Sequence, residues 1–374
     1  LYLSFIGRGQ RDNKPKPPSE LLSELHDYLI RLYGSFEITE HPLQPYDVRY
    51  FAENSVLKSY ATHWRGALQG AEPVPPFAST ALEQVVDTET LQELSDLTRF
   101  FRHPARYFLN RLGVFFPEDD VGLKDAESFS LDGLERYDIA TAALDTLLSP
   151  SFQPQLIDAW IARTRASGKM LPGQLGYQQL TEQLSLAQRI AAVVKDLSPE
   201  KIEVCQFDLT VGSHQLFCEL ALRDDQLITA RTGELRARQI IETWIQHLAL
   251  CAHGHQRTAT LVYRDSHRNV KHHQIRPVSE TEAQNWLSEL SKIFVQGLSQ
   301  PILFMPEASL LAAREQDLGK VIRGYHSDQD GEHRGQEAHD PYYNRVLDFP
   351  EAFSADFLQL ANQIWQPYLA HEEK

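Results

Sequence analysis

The sequence predicts an α/β (α+β) domain organised around one central sheet. Three observations predict it. Apolar residues recur at helical spacing through 88–113 and again near 130–148, 152–166 and 175–196. Three strand candidates then follow in close succession, near 202–211, 214–222 and 226–231. Helical patterning resumes near 235–252, 280–298 and 355–370, with a further hairpin at 259–264 and 270–276. A short antiparallel meander between two helical runs must bury its apolar face against those helices.

Each element has a local reason. Residues 1–8, LYLSFIGR, read as a buried strand ending at Gly7-Arg8. Residues 9–18 are polar and proline-rich and read as a loop. Ser19 is an N-cap, because its hydroxyl can accept from the open N–H groups of a first helical turn. Leu21, Leu22, Leu25, Tyr28, Leu29 and Leu32 supply the stripe of that helix. His41 to Phe51 is extended and broken by Pro42 and Pro45. Gly66, Gly70, Pro73, Pro75 and Pro76 mark a linker, giving three parts: 1–70, a linker at 71–88, and 89–374. Leu91, Leu94, Leu97, Phe100 and Phe101 then run at helical spacing. Pro104 interrupts them, and Tyr107, Phe108 and Leu112 resume the pattern. Residues 324–341 hold Gly, Asp, Glu and His without apolar rhythm and read as a mobile loop.

Composition bounds the function. The chain has 374 residues, more than one ordinary domain needs, and starts without methionine inside a strand-like stretch, so a fragment of a longer polypeptide is expected. A net charge of −15 argues against a large nucleic-acid surface, although a local basic groove is compatible with it. Cys205, Cys218 and Cys251 sit in apolar periodic segments, as buried thiols of a reducing compartment do, so the cytoplasm is expected. No apolar run is long enough to span a bilayer.

Several blocks carry a family resemblance. LYLSFIGR resembles a degraded last motif of a superfamily I helicase fold, and HPLQPYDVRYF at 41–51 is similar to the segment that closes such a part. LTRFFRHPARYFLNRLGV at 97–114 resembles the helix that opens the nuclease-like domain of the RecB and AddB group. With LPGQLGYQQL at 171–180 and the block at 214–252, in this order, they resemble the C-terminal part of the RecC family, the gamma chain of exodeoxyribonuclease V. The resemblance implies a tail of a helicase-like domain over 1–70 and a PD-(D/E)xK, restriction-endonuclease-like domain over 89–374, both without their chemistry. It implies RecB and RecD as partners, a path for duplex or forked DNA, and a share in splitting the duplex. It places residues that read the Chi sequence largely upstream.

The chemistry is tested on the residues. A PD-(D/E)xK nuclease needs two acids to hold Mg²⁺ and a lysine near the attacking water. The aligned positions here are Leu220, Thr229 and Arg231. Slipping by one residue brings Glu219 to the first position, yet Leu227 to Thr232 contains no acid for the second. Arg231 keeps a positive charge and cannot serve as a base at neutral pH. The alternative, an active nuclease with migrated carboxylates, would draw on Glu219, Asp224 or Glu234. A pure protein-interaction module is the third reading. Contacts to DNA or a partner are expected from Arg231, Arg236 and Arg238, and from Arg264, Arg268, Lys271 and Arg276 in the later hairpin. Arg99, Arg102, Arg106 and Arg111 form a further basic set, the first three sharing a face if Pro104 does not turn the helix.

No cofactor is expected. Cysteines are missing around the opening helix, which excludes an iron–sulfur cluster, and His103 is expected to cap or border the break at Pro104. Cys251, His253 and His255 lack the spacing of a zinc pair. Asp328 to Gly331 resembles part of a calcium loop without its closing glutamate. Arg8 stands where helicases place an arginine finger, but the chain has no phosphate-binding GxxxxGK[ST] loop.

Overall fold

The computed structural model describes residues 2–9, 14–53, 55–68, 81–82, 92–116, 131–168, 170, 173–199, 202–212, 214–326, 337–347 and 352–373. It divides into two units, Leu1–Pro75 and Pro76–Lys374. Most of the expected linker at 71–88 and the acidic stretch Asp328 to Gly331 lie outside the described residues.

In the first unit the capped helix forms as predicted. Helix α1 (Glu20–Tyr33) starts with the Leu22 N–H donating to the Ser19 hydroxyl at 3.4 Å. It stops at Gly34, whose φ of 77° is the left-handed conformation that a helix C-terminus asks of glycine. No residue of α1 is buried. The expected buried strand at 1–8 does not form. Tyr2 and Ile6 are 81% and 77% exposed, and only an isolated bridge between Arg8 and Pro15 is made. A strand needs a neighbour for its N–H and C=O groups, and among the described residues of this unit only Lys14 to Lys16 supply one, at Gly7 to Gly9.

The second unit opens with strand β1 (Gln92–Glu93) and helix α2 (Leu94–Arg102), whose Leu97, Phe100 and Phe101 are buried. The Pro104 break is real. Helix α3 (Pro104–Arg111) begins there with His103 as its N-cap. The Arg106 N–H donates to His103 Nδ1 at 3.2 Å, so that nitrogen is unprotonated and Nε2–H is left to donate to Asp340 at 2.9 Å. The imidazole also stacks on Tyr343, with centroids 4.4 Å apart. The expected capping role of His103 is therefore what the structure has.

Helices α4 (Gly133–Leu148), α5 (Gln155–Ala166) and α6 (Gly173–Leu197) follow, close to their predicted ranges. A capping box starts α4: Asp132 accepts from the Glu135 N–H, and Glu135 reaches back to the Asp132 N–H. Leu144, Leu180, Ala187, Ile190 and Val194 make their shared core, which includes Val262 from strand β5 (Ala259–Arg264).

Of the predicted meander, the β2–β3 hairpin forms while the third strand pairs elsewhere, and among the described residues there is no single central sheet. Strands β2 (Ile202–Val211) and β3 (His214–Arg223) pair antiparallel along their whole length. Strand β4 (Ile228–Ala230) leaves β3 after one bridge, Arg223 to Gln226, and pairs parallel with β5. Strand β6 (Val270–Ile275) completes the second sheet, antiparallel to β5. Two three-stranded sheets result, in the orders β1-β3-β2 and β4-β5-β6. Asp224 and Asp225 have φ of 50° and 55°, and Arg223 and Gln226 exchange backbone bonds of 2.9 and 2.8 Å. That is a tight two-residue hairpin turn. Beyond that turn β4 pairs with β5 and not with the neighbouring residues of β3, while β1 takes β3 further along at Leu216 and Phe217.

Helix α7 (Ala237–Ala252) lies at the centre, with Ile241, Trp244, Ile245 and Leu248 fully buried. Helices α8 (Glu280–Ser299) and α12 (Ala355–His371) pack around the same core, as their periodicity predicts. Three helices were not predicted: α9 (Pro306–Glu315), α10 (Leu318–His326) and α11 (Pro341–Val346). They are short, and their alanine- and tyrosine-rich faces become buried only against α3 and α12. Residues 324–341, expected as one loop, include the end of α10 and a fixed turn; the described part is ordered by Glu337 and Asp340.

Helices α2 and α8 approach closely at Gly297, where a Cβ would strike the Phe100 ring. That ring sits edge-on to Phe101, Tyr107 and Phe294, so it has no direction in which to retreat. Gly297→Ala is expected to lower unfolding stability by about 1–3 kcal/mol, measured by urea denaturation. A change within a few tenths would show that this aromatic cluster yields.

Candidate functional site

The site follows from how β4 ends. Residues 229 and 231 are two apart on an extended segment, so their side chains share a face. That face borders a cleft of about 280 Å³ lined by Arg102, Tyr137, Thr229, Arg231 and a stripe of α7. The stripe is Gln239, Glu242, Thr243 and Gln246, at helical spacing, while most of the rest of α7 is buried. Two of the three degenerate positions, Thr229 and Arg231, therefore meet in one cleft. Leu220 does not join them: it is 4% exposed and packs in the main core.

Arg231 is half-buried, and its Nε has no hydrogen-bond partner among the described residues. A Cβ built on Gly233 would come within 3.1 Å of the Arg231 guanidinium and 3.2 Å of the Tyr137 ring, tighter than side chains usually sit. Burial lowers the pKa of this arginine from its ordinary value, Tyr137 opposes that, and the nearby charges of Arg238, Arg236 and Arg102 each add a smaller lowering. Glu242 is held by Arg102 at 3.5 Å. The connector from β4 to α7 is fixed on both sides. Thr232 shares a 2.8 Å hydroxyl bond with Thr141 of α4, and its carbonyl accepts from Arg264 Nε at 2.9 Å.

The start of α7, beside Arg236 and Arg238, is set by a relay of buried carboxylates. Glu307 accepts the Ala237 N–H at 2.9 Å. Glu337 accepts the N–H groups of Glu307 and Ala308 at 2.9 and 3.0 Å, at the first turn of α9. Burial raises the Glu307 carboxyl above its ordinary range, against the pull of the Ala237 bond and of Arg236 and Arg238. Burial, and then the neighbouring Glu307, push Glu337 up to about 8.

The other candidates are scattered. Arg236 is half-buried and Arg238 exposed. In the β5–β6 hairpin, Arg264 is tied to Thr232 and Glu234, and Arg276 donates to the Ala370 carbonyl at 2.6 Å, so both hold the fold. Arg268 and Lys271 are exposed, and Arg268, at φ 63°, sits in the turn organised by the Asp265 carboxylate. Glu219 is exposed and bonded to Gln206, Asp224 lies in the hairpin turn, and Glu234 faces Arg264. These three carboxylates have different surroundings and are not gathered in the cleft. Arg99, Arg102, Arg106 and Arg111 do not act as one face: they meet Asp96, Glu242, the Tyr342 ring and the Leu298 carbonyl in turn.

Among the described residues no group of three or more His, Cys, Asp or Glu could hold a metal ion. Cys251 is buried beside His247, while His253 stacks on Phe207 at 4.2 Å. No helix among the described residues is long and apolar enough to cross a membrane. The residues that sequence reasoning missed are Tyr137, Gln239, Glu242, Thr243, Gln246, Glu307 and Glu337. The spaced polar stripe of α7, in an otherwise apolar helix, was the available signal for four of them.

Comparison with known proteins places this arrangement. A family model described as the RecC C-terminal domain matches residues 89–317, which include every residue lining the cleft. The chain belongs to the RecC C-terminal domain family. The RecBCD enzyme subunit RecC of Escherichia coli K12 is 29% identical over 336 residues, 82% of this chain and 28% of that protein. The RecBCD enzyme subunit RecC of Haemophilus influenzae is 26% identical over 265 residues, 67% of this chain and 23% of that protein. That of Mycolicibacterium smegmatis is 26% identical over 274 residues, 67% and 24%. This RecC-family chain thus spans less than a third of the length of these relatives.

The Glu337 relay makes a pH prediction. A carboxyl raised in the fold to about 8, from an ordinary 4.5, favours the folded state while protonated. Its contribution is whole below about pH 4.5 and is lost as pH rises through 8. The thermal midpoint of the chain should therefore fall between pH 5 and 8, and Glu337→Gln should flatten that slope. An equal slope in both proteins would show that Glu337 is ionised throughout.

Proposed function

We propose that this chain is a catalytically inactive, nuclease-like part of a RecC-type subunit. It serves as a scaffold and a DNA guide in a RecBCD-type helicase-nuclease that acts in double-strand-break repair and recombination. RecB and RecD are its proposed partners, and duplex or forked DNA is its proposed substrate. Residues 89–374 form the nuclease-like part in this reading, and 1–70 the tail of a helicase-like part joined through 71–88.

The observation that carries it is the pair Thr229 and Arg231 in the cleft. The element order α6, β2, β3, β4, α7, β5, with an antiparallel β2–β3 hairpin and β4 parallel to β5, supports a PD-(D/E)xK-like frame. In that frame the acid and the lysine of the second strand would stand at Thr229 and Arg231. A hydroxyl and a guanidinium are poor ligands for Mg²⁺, which wants hard, anionic oxygen. With Leu220 buried, the first ligand is missing as well. The exposed Arg268 and Lys271, at the end of the later hairpin, are the side chains proposed to meet DNA at a fork.

Degradation of end-labelled linear DNA by the purified chain tests this, with Mg²⁺ or Mn²⁺ and with chelator. The expected outcome is no chelator-sensitive cleavage. Metal-dependent cleavage that disappears in a Glu219→Ala, Asp224→Ala double variant would mean that the ligands had migrated and that the chain is an enzyme.

A further inference from the structure

The cleft has lost the acids of a metal site and gained a cation, and that exchange points to a ligand. We propose that the cleft between α4, β4, β5 and α7 is a metal-free phosphodiester site, holding one backbone phosphate of a single DNA strand on the Arg231 guanidinium. The proposal rests on the DNA-guiding reading above and names the ligand of one site within it.

Four observations converge. Arg231 and Gln239 line the cleft, and Arg231 Nε and Gln239 Oε1 are buried atoms with no hydrogen-bond partner among the described residues. A buried N–H donor on a charged group calls for an anionic acceptor. The neighbouring acids are engaged elsewhere: Glu242 with Arg102, Glu234 with Arg264, and Glu307 with the Ala237 N–H. Thr229, Thr243 and Gln246 also line the cleft, and their hydroxyl and amide groups are of the types that suit the remaining phosphate oxygens. Its volume of about 280 Å³ admits a sugar-phosphate unit and excludes a duplex.

In a metal nuclease the carboxylates repel a phosphate until Mg²⁺ reverses the local charge. With threonine at 229 and arginine at 231 the reversal is built into the chain. The planar fork of arginine matches two phosphate oxygens. A strand fits better than a protein carboxylate. Arg231 lines the cleft, Arg102 beside it is paired with Glu242, and Arg238 lies exposed in the first turn of the helix that forms its wall, so Arg231 and Arg238 are the cations left for a repeating charge.

The test uses the whole chain and a short fluorescein-labelled oligothymidylate, read by anisotropy in EDTA and in Mg²⁺. Equal binding in both is expected. Arg231→Gln should weaken it about tenfold or more and reduce the salt slope by about one. Arg231→Lys should fall between, since it keeps the charge and loses the fork. Thr229→Asp should weaken binding in EDTA by restoring the repelling acid. Thermal midpoints of the variants should stay near that of the parent. Binding unchanged by Arg231→Gln but lost in an Arg268→Gln, Lys271→Gln variant would overturn the cleft site and leave the DNA-guiding reading standing. Binding of labelled oligoglutamate that depends on Arg231, with no oligothymidylate bound, would make the cleft a dock for a protein carboxylate and overturn the proposal. Binding that requires Mg²⁺, or no DNA binding at all, would overturn both.

Discussion

Burial of α7 is the constraint on which the rest of the second unit depends. Its side chains Ile241, Trp244, Ile245 and Leu248 are fully buried, in a core built from α2, both sheets, α8 and α12. Such a helix cannot rotate, because any turn about its axis would bring Trp244 or Leu248 into water. Its polar stripe is fixed for the same reason. Gln239, Glu242, Thr243 and Gln246 must face the one side that is not packed, and the cleft forms there. The position of the candidate site is thus a consequence of hydrophobic packing on the opposite side of the same helix.

Polar groups then fix the ends of elements that the core leaves open. Glu337 holds the start of α9, α9 carries Glu307, and Glu307 holds the start of α7. His103 caps α3 and joins it to Asp340, which caps α11. Apart from the side-chain bond between His103 and Asp340, each of these bonds satisfies a backbone N–H that a helix start leaves open. The Glu307 and Glu337 carboxyls are raised by burial, while Asp340 ends below its ordinary value. Burial would raise Asp340 too, but the His103 bond and two backbone N–H groups outweigh it. The same work is done by two carboxyl types in opposite electrostatic situations, and the presence of a cationic or donor ring decides which.

Much of this was legible in the chain. Ser19 marked the start of α1, Pro104 the break between α2 and α3, and the turn residues Asp224 and Asp225 the end of β3. Each acts through bonds to its immediate neighbours, so sequence is enough. The shortage of acids on the second strand, from Leu227 to Thr232, was equally plain. The basic set was read less well. Arg264 and Arg276 looked like surface cations, yet they bond to Thr232 and Ala370. An arginine that braces a loop and an arginine that awaits a phosphate have the same letter, and only the carbonyl that arrives from elsewhere separates them.

By itself, the sequence determined the helices and strands whose periodicity exceeds a few turns, the cap and break positions, and the absence of a metal-ligand pair on the second strand. Those depend on residues near one another along the chain. The tertiary structure alone decided that the three strand candidates divide between two sheets, with β4 paired to β5 and not to β3. It alone decided that Leu220 enters the core while Thr229 and Arg231 share a cleft with α7. It also brought Glu337 onto the first turn of α9, 29 residues away from Ala308. Each of these outcomes is a competition among distant segments for one edge, one face or one open N–H, and local patterning carries no term for that competition.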